Sequence, residues 1–373
     1  MMQFEHNGFG FPGEHARRWL RTVPLTKSAI PIRIIAVLGW LVNQSVTAQA
    51  GGLQSVMDPA GPQSAHINRL WWFMFVVCTV VFVIVMVFTL MAVFRKRSEP
   101  AGPTTAPMLH PDAASERRTR LVVIGATGVT LVILFAFLVD SFLVGRGLTA
   151  ELASKQAVTI EVTGHQWWWE VRYTNVDASS IFTTANEIHI PVGVPVTFSL
   201  RSTDVIHSFW VPNLSGKKDL IPGKIATIWL QADKPGVYRG QCAEYCGHQH
   251  AHMALWVIAE ERPQFNAWLQ NQVQSAATPS DSSQQRGQQV FLSSTCVMCH
   301  TINGTPAGSN IGPNLTHLAS RNTIAAATLP NDRQHLTQWV TDSQQVKPGN
   351  RMPAHSLSPE DLQALLDYLQ SLK

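Results

Sequence analysis

A chain of 373 residues is long for one soluble domain and has room for two or three. Its 45% hydrophobic and 14% charged composition leaves space for membrane segments. A formal charge of +4, with basic residues not gathered along a groove, argues against nucleic acid as a partner. Residues 1–50 read as a signal peptide. Arg17, Arg18, Arg21, Lys27 and Arg33 precede an apolar run at 34–42 that is too short to span a bilayer, and Ala48-Gln49-Ala50 offers a cleavage site. Export to a bacterial periplasm follows; a retained anchor is the other reading of this segment.

Residues 51–148 read as a transmembrane hairpin. The run 70–94 holds 25 residues without a charge, about 37 Å as a helix against a hydrocarbon core of roughly 30 Å. The run 121–144 holds 24, with only Asp140 charged. Trp71 and Trp72 sit where an interfacial aromatic belt is expected. Arg95, Lys96 and Arg97, with Arg117, Arg118 and Arg120, mark the connecting loop as cytoplasmic, so both tails face outside. Cys78, inside the first run, reads as a small buried hydrophobe.

From Val158 the period changes to two. Val158, Ile160 and Val162 alternate with polar neighbours, as do Val196, Phe198 and Leu200. Pro222-Gly223 and Pro235-Gly236 punctuate the strands, so 151–262 reads as an all-β Greek-key sandwich or barrel. Its densest chemistry is CAEYCGHQHAHM at 242–253, which sets out Cys242, Cys246, His250 and Met253 at spacings of four, four and three. Two thiolates, an imidazole and a thioether form a soft set that selects copper over hard cations, and a second thiolate suits two metal ions bridged by sulfur. His207, in DVIHSFWVP, is the candidate for the missing imidazole. A Cys-x3-Cys disulfide is the competing reading in an oxidising compartment. Zinc also accepts Cys and His, though Met253 argues against it. His248 and His252 read as solvated or outer-shell groups. Trp167, Trp168 and Trp169 alternate faces in a strand, so at most two share a surface; a plain packing cluster is the bland account.

Residues 271–285, polar and without apolar period, read as a flexible linker. The segment 286–373 reads as an all-α haem domain. It opens with a helix around 287–292 and then CVMCH, where Cys296 and Cys299 would form thioethers to haem c and His300 would bind its iron. Met352 is the favoured second axial ligand, with His317, His335 and His355 as rivals. A last helix is marked by Ser358 as cap, Pro359 at its first position, Asp361 closing a capping box, and an apolar stripe of Leu362, Leu365, Leu366 and Leu369.

The copper loop, with GHQWWWE (164–170), DVIHSFWVP (204–212) and KDLIPGK (218–224), resembles subunit II of haem–copper cytochrome c oxidases over residues 54–259. The resemblance implies a cupredoxin-like fold and a dinuclear CuA centre. Cys242 and Cys246 would bridge, His207 and His250 would be terminal ligands, Met253 a weak ligand, and Glu244 a ligand through its carbonyl. It further implies that Trp167 receives electrons, that Asp204 lies near the copper loop, and that the other two tryptophans pack between the metal and subunit I. The Glu244 side chain would serve a magnesium or manganese site shared with subunit I, and Glu116 would help protons enter subunit I. IGPNLTHL, with Pro313, resembles the proximal loop of a small class I cytochrome c. The whole would be the electron-accepting subunit of a respiratory oxidase in the bacterial plasma membrane, partnered by subunits I and III and a donor cytochrome c. The alternatives are the corresponding CuA subunit of a nitric oxide reductase and a copper-binding assembly protein.

Overall fold

The computed structural model describes residues 53–95, 113–150, 158–174 and 181–373; the signal-peptide reading and most of the connecting loop between the apolar runs lie outside them. Helices α1 (Pro62–Phe94) and α2 (Ala113–Ala150) are both long and apolar enough to cross a membrane. Helix α1 begins before its apolar run and ends with it, whereas α2 extends past its run at both ends. Phe73 meets Phe137 edge-on at 5.5 Å between them. Cys78 is exposed on α1, not buried, because a helix whose whole circumference is apolar seeks lipid instead of a protein core. The start of α1 is fixed to the β domain: Ala60 N–H donates to Asn213 O at 2.7 Å, and the Ser64 hydroxyl donates to the same carbonyl.

Ten strands follow: β1 (Val158–His165), β2 (Trp168–Tyr173), β3 (Phe182–Ala185), β4 (Glu187–Pro191), β5 (Val196–Ser202), β6 (His207–Trp210), β7 (Lys218–Leu220), β8 (Ala226–Leu230), β9 (Gly236–Cys242) and β10 (Ala254–Glu260). They form two five-stranded sheets in the orders β3-β2-β1-β5-β8 and β4-β10-β9-β6-β7. The alternation read from sequence is realised: Ile160, Val162, Phe198 and Leu200 are fully buried between the sheets, with Trp169, Tyr173 and Phe209. Cys242 ends β9 and pairs with Phe209 of β6, so His207, two residues back, lies at the same sheet end as the β9–β10 loop.

Helix α3 (Arg262–Gln272) packs Phe265 and Trp268 on the sandwich. The expected linker at 271–285 is replaced by ordered chain. Ala276 N–H donates to Asn303 O, Gln274 O accepts from His317, and α4 (Ser282–Ser293) begins inside the polar stretch because Asp281 caps the Gln284 N–H. Polar composition hid this because the segment docks through its backbone. Short helices α5 (Arg333–Thr341) and α6 (Ser343–Val346) precede the last helix, α7 (Pro359–Ser371). Ser358 caps α7 by accepting from Asp361 N–H at 3.1 Å, while the Asp361 carboxylate takes the Ser358 hydroxyl instead of closing on its N–H. Leu365, Leu366 and Leu369 are buried with Phe291 and Tyr368, and Leu362 packs at the edge of that core.

A candidate dinuclear metal site facing a haem cavity

Four of the sulfur and nitrogen donors come from one turn of chain and one from across the sheet. Cys242 Sγ and Cys246 Sγ lie 3.7 Å apart, too far for a disulfide and close enough to share metal ions. His207 Nδ1 is 3.9 Å from Cys242 Sγ, His250 Nδ1 is 3.6 Å from Cys246 Sγ, and Met253 Sδ is 3.8 Å from Cys246 Sγ. The Glu244 carbonyl is 3.1 Å from Cys242 Sγ. Donor atoms of His207, Cys242 and Cys246 all fall within 4.8 Å of one another. Cys242, Cys246, Met253 and His207 are buried. Six donors, three sulfurs, two imidazoles and a carbonyl, exceed the four that a tetrahedral zinc takes and fit a pair of copper ions.

The surroundings orient these donors. Asp204 Oδ1 accepts from His207 Nε2–H at 2.8 Å, which leaves Nδ1 facing the sulfurs. Asp204 also accepts from the N–H groups of Gln166 and Val205, both at 2.7 Å. Burial would raise its carboxyl, but the His207 and backbone hydrogen bonds outweigh that and hold it at about 2. A Cβ on Gly164 would stand 2.7 Å from His207 Cδ2, so only glycine admits the imidazole there. Hydrogen bonding between the sulfurs holds the Cys242 thiol low and pushes Cys246 up. His252 is exposed and hydrogen-bonds Gln249, and His248 is exposed, as the outer-shell reading expects.

Trp167 adjoins this site: its Nε1–H donates to Cys246 O at 2.9 Å, beside Gln166 Nε2, which donates to the same carbonyl. It is only 8% exposed, because the opposite wall of its surroundings is the C-terminal domain. The three tryptophans separate. Trp167 and Trp168 line one cavity, Trp168 stacked on His165 at 4.4 Å, whereas Trp169 is buried in the sandwich 6.0 Å from the His207 ring. Strand alternation sends Trp168 into the cavity wall and Trp169 into the core.

That cavity, about 430 Å³, is where Cys296, Cys299, His300 and Met352 converge. Pro313 O accepts from His300 Nδ1–H at 2.7 Å, which leaves Nε2 for an iron, and burial lowers the His300 pKa so that the ring stays neutral. Of the rival ligands, His355 lines the cavity; His317 spends both ring nitrogens on the carbonyls of Lys373 and Gln274, and His335 is tied to Asp332. Arg321 also lines the cavity with a buried Nε–H that has no partner, suited to an acidic group of a bound cofactor. The apolar walls, the cysteine pair, one free imidazole nitrogen and this orphaned donor fit a covalently held haem.

Sequence reasoning missed the residues that join the two domains. Glu187 Oε1 accepts from Asn322 N–H at 2.8 Å and Thr323 N–H at 2.9 Å. Arg321 reaches Thr184, and Lys347 Nζ donates to Trp167 O and His252 O. The burial that makes these contacts exists only after docking, and no spacing pattern announces it.

Two families match by sequence: "Cytochrome C oxidase subunit II, periplasmic domain" over residues 158–260 and "Cytochrome c" over 284–373. Cytochrome c oxidase subunit 2 of Alkalihalophilus pseudofirmus is 36% identical over 321 residues, 86% of this chain and 91% of the relative. That of Bacillus sp. (strain PS3) is 33% identical over 241 residues, 61% of this chain and 66% of the relative. The solved periplasmic domain of cytochrome oxidase subunit II from Bradyrhizobium japonicum is 30% identical, with a TM-score of 0.30, over 32% of this chain and 95% of that one. Two apolar helices, a cupredoxin-like domain with a thiolate metal site and a haem-binding helical domain define a membrane protein whose periplasmic part carries redox centres. The chain belongs to the cytochrome c oxidase subunit II family and carries a fused cytochrome c domain. It is a subunit of an oxidoreductase that works in complex with subunit I.

Proposed function

We propose that this subunit passes electrons from an external cytochrome c through its own haem domain and copper domain to subunit I, where oxygen is reduced to water and protons are moved. Cys296 and Cys299 would hold the haem, with His300 and Met352 as axial ligands. His207, Cys242, the Glu244 carbonyl, Cys246, His250 and Met253 would hold the copper pair. When bound, both groups supply one-electron redox chemistry, and His/Met ligation favours a high potential for the haem. The observation that carries the reading is that Trp167 belongs to both sites: its ring lines the haem cavity and its Nε1–H touches the carbonyl of Cys246. Burial of Trp167 and of the copper ligands keeps water out and limits reorganisation as charge changes.

In this reading α1 and α2 both cross the plasma membrane with the folded domains on the periplasmic side, and subunit III completes the assembly. The Glu244 carboxylate serves a magnesium site against subunit I. Glu116, in the first turn of α2, aids proton entrance to subunit I. A Glu116→Gln variant that keeps wild-type proton uptake and turnover would remove that role. The central test is the EPR and visible spectrum of the purified full chain in its complex. A seven-line mixed-valence copper signal beside a low-spin His/Met haem is the expected result. A four-line mononuclear signal, or copper-free protein, would refute the copper assignment.

A further inference from the structure

The loop that carries Met352 is fastened in three places. At its start, Lys347 N–H donates to Ser343 O at 2.9 Å and so closes α6. At Met352, Asn350 Oδ1 accepts the N–H at 2.7 Å, while the carbonyl accepts from Ser343 Oγ at 2.7 Å and Gln344 Nε2 at 2.9 Å. Between them, Pro348 O accepts from Gln249 Nε2 at 2.8 Å, from the residue before copper ligand His250. The loop is therefore stiff, and what its base is attached to decides where the haem site sits.

Beside the Gln249 contact, that attachment is the side chain of Lys347. Lys347 is 2% exposed, and its ammonium donates to Trp167 O at 2.8 Å, His252 O at 2.9 Å and Ala325 O at 3.2 Å. All three partners are backbone carbonyls, two in the copper domain and one in the haem domain. Burying an ammonium among carbonyls is costly, and an apolar side chain of the same volume would suit a purely structural position better. A lysine offers what such a side chain lacks: three donors on a long stem, able to join three separate segments at one point. One of those segments is the backbone of Trp167.

We propose that Lys347 is a positioning residue: it clamps the Met352 loop to the backbone of Trp167 and so fixes the haem site against the copper site in one orientation. The inference rests on the two-centre relay argued above. Electron tunnelling falls steeply with separation, so a docked and rigid haem domain transfers faster than one that samples many orientations. One electron crosses per event, and no bond is made or broken.

The experiment uses the full chain in its complex, as wild type, Lys347→Met and Lys347→Arg. Three readouts are taken: copper EPR with the haem spectrum, hydrogen exchange at the cross-domain amides Ala254, Asn322 and Thr323, and the haem-to-copper electron-transfer rate after photoreduction. In Lys347→Met we expect both spectra to persist, exchange at those amides to quicken, and transfer to slow, each on the order of tenfold, as for loss of one charged hydrogen-bond cluster. Lys347→Arg should recover part of both. If Lys347→Met loads both cofactors and keeps wild-type exchange and transfer, the proposal is wrong. It is also wrong if the haem spectrum changes while the cross-domain amides stay protected, because Lys347 then shapes only its own loop. Where Lys347→Met does not accumulate haem, Lys347→Gln carries the same test. Wild-type protein lacking either spectrum would instead overturn the relay reading itself.

Discussion

Asp204 shows how much of a metal site lies outside its ligands. It orients His207 and also receives the Gln166 N–H, next to Trp167, so one carboxylate serves both the candidate ligand and the proposed electron path. Asp204→Asn keeps one acceptor oxygen where two serve His207, Val205 and Gln166, and sets an NH2 donor against an N–H, so copper affinity should fall about 10- to 100-fold. Copper retention against a chelator measures this, and an unchanged haem spectrum shows that the loss is local. Glu187 is a second such residue, this time at the domain junction. Burial raises its carboxyl above the ordinary 4.5, and the hydrogen bonds from Thr323 and the charges of Arg321 and His189 only partly offset that. The docked state therefore holds the Glu187 proton more tightly than the separated state. This contribution is full below 4.5 and is lost as pH rises through the raised value. Lys347 at the same junction, lowered by burial to about 7, pulls the other way, so the Glu187 share is read by difference: protection of the Asn322 and Thr323 amides, corrected for intrinsic exchange, should favour about pH 5 over about pH 8 more in the wild type than in Glu187→Gln. The candidate metal site was legible in sequence because a single loop holds four of its side-chain donors and their residue types have few other uses together. Glu187, Arg321 and Lys347 were not, because a charged residue looks the same in sequence whether it meets water or another domain.

At the scale of elements, the capping and period signals carried through where the local chain decides its own structure. Ser358 starts α7, and the leucine stripe of that helix forms the haem-domain core. They failed at 271–285, where a tertiary partner decides. The packing of α4 on α7 has one tight point: a Cβ on Gly287 would lie 2.0 Å from Ala364 O. Helix propensity alone says that Gly287→Ala should stabilise α4 by up to about 1 kcal/mol. The close approach reverses that sign, because the crossing helices have to separate, and overpacking costs about 1–3 kcal/mol. Thermal unfolding followed at the haem band should show a lower midpoint in the alanine variant. A raised midpoint would mean that the two helices separate freely and that Gly287 does not set their distance.

At the scale of the whole molecule, the cytochrome c domain lies folded against the β domain, so in the proposed relay the chain carries its own electron donor docked on its acceptor. In a flexibly tethered arrangement the haem domain would leave Trp167 intermittently open to soluble cytochrome c. Instead the contacts of Glu187, Arg321, Gln249 and Lys347 hold the domain on the copper site, and Trp167 is closed off from solvent. A soluble donor facing the intact chain then has to reach the haem domain, not the copper domain. Truncation tests this if it is cut in the right place. A stop after residue 285 would strand the first turn of α4, whose cap is Asp281, whereas a stop at Ser280 removes the whole domain and leaves α3 on the sandwich. None of the copper ligands is lost, so the copper EPR signal should survive. Trp167 becomes exposed, and added cytochrome c should reduce the copper pair directly. In the intact chain the same donor should reduce haem first and copper only afterwards. Equal direct reduction of copper in the intact and truncated chains would show that the docked domain does not guard Trp167, and loss of the copper signal on truncation would show that the two domains are one folding unit.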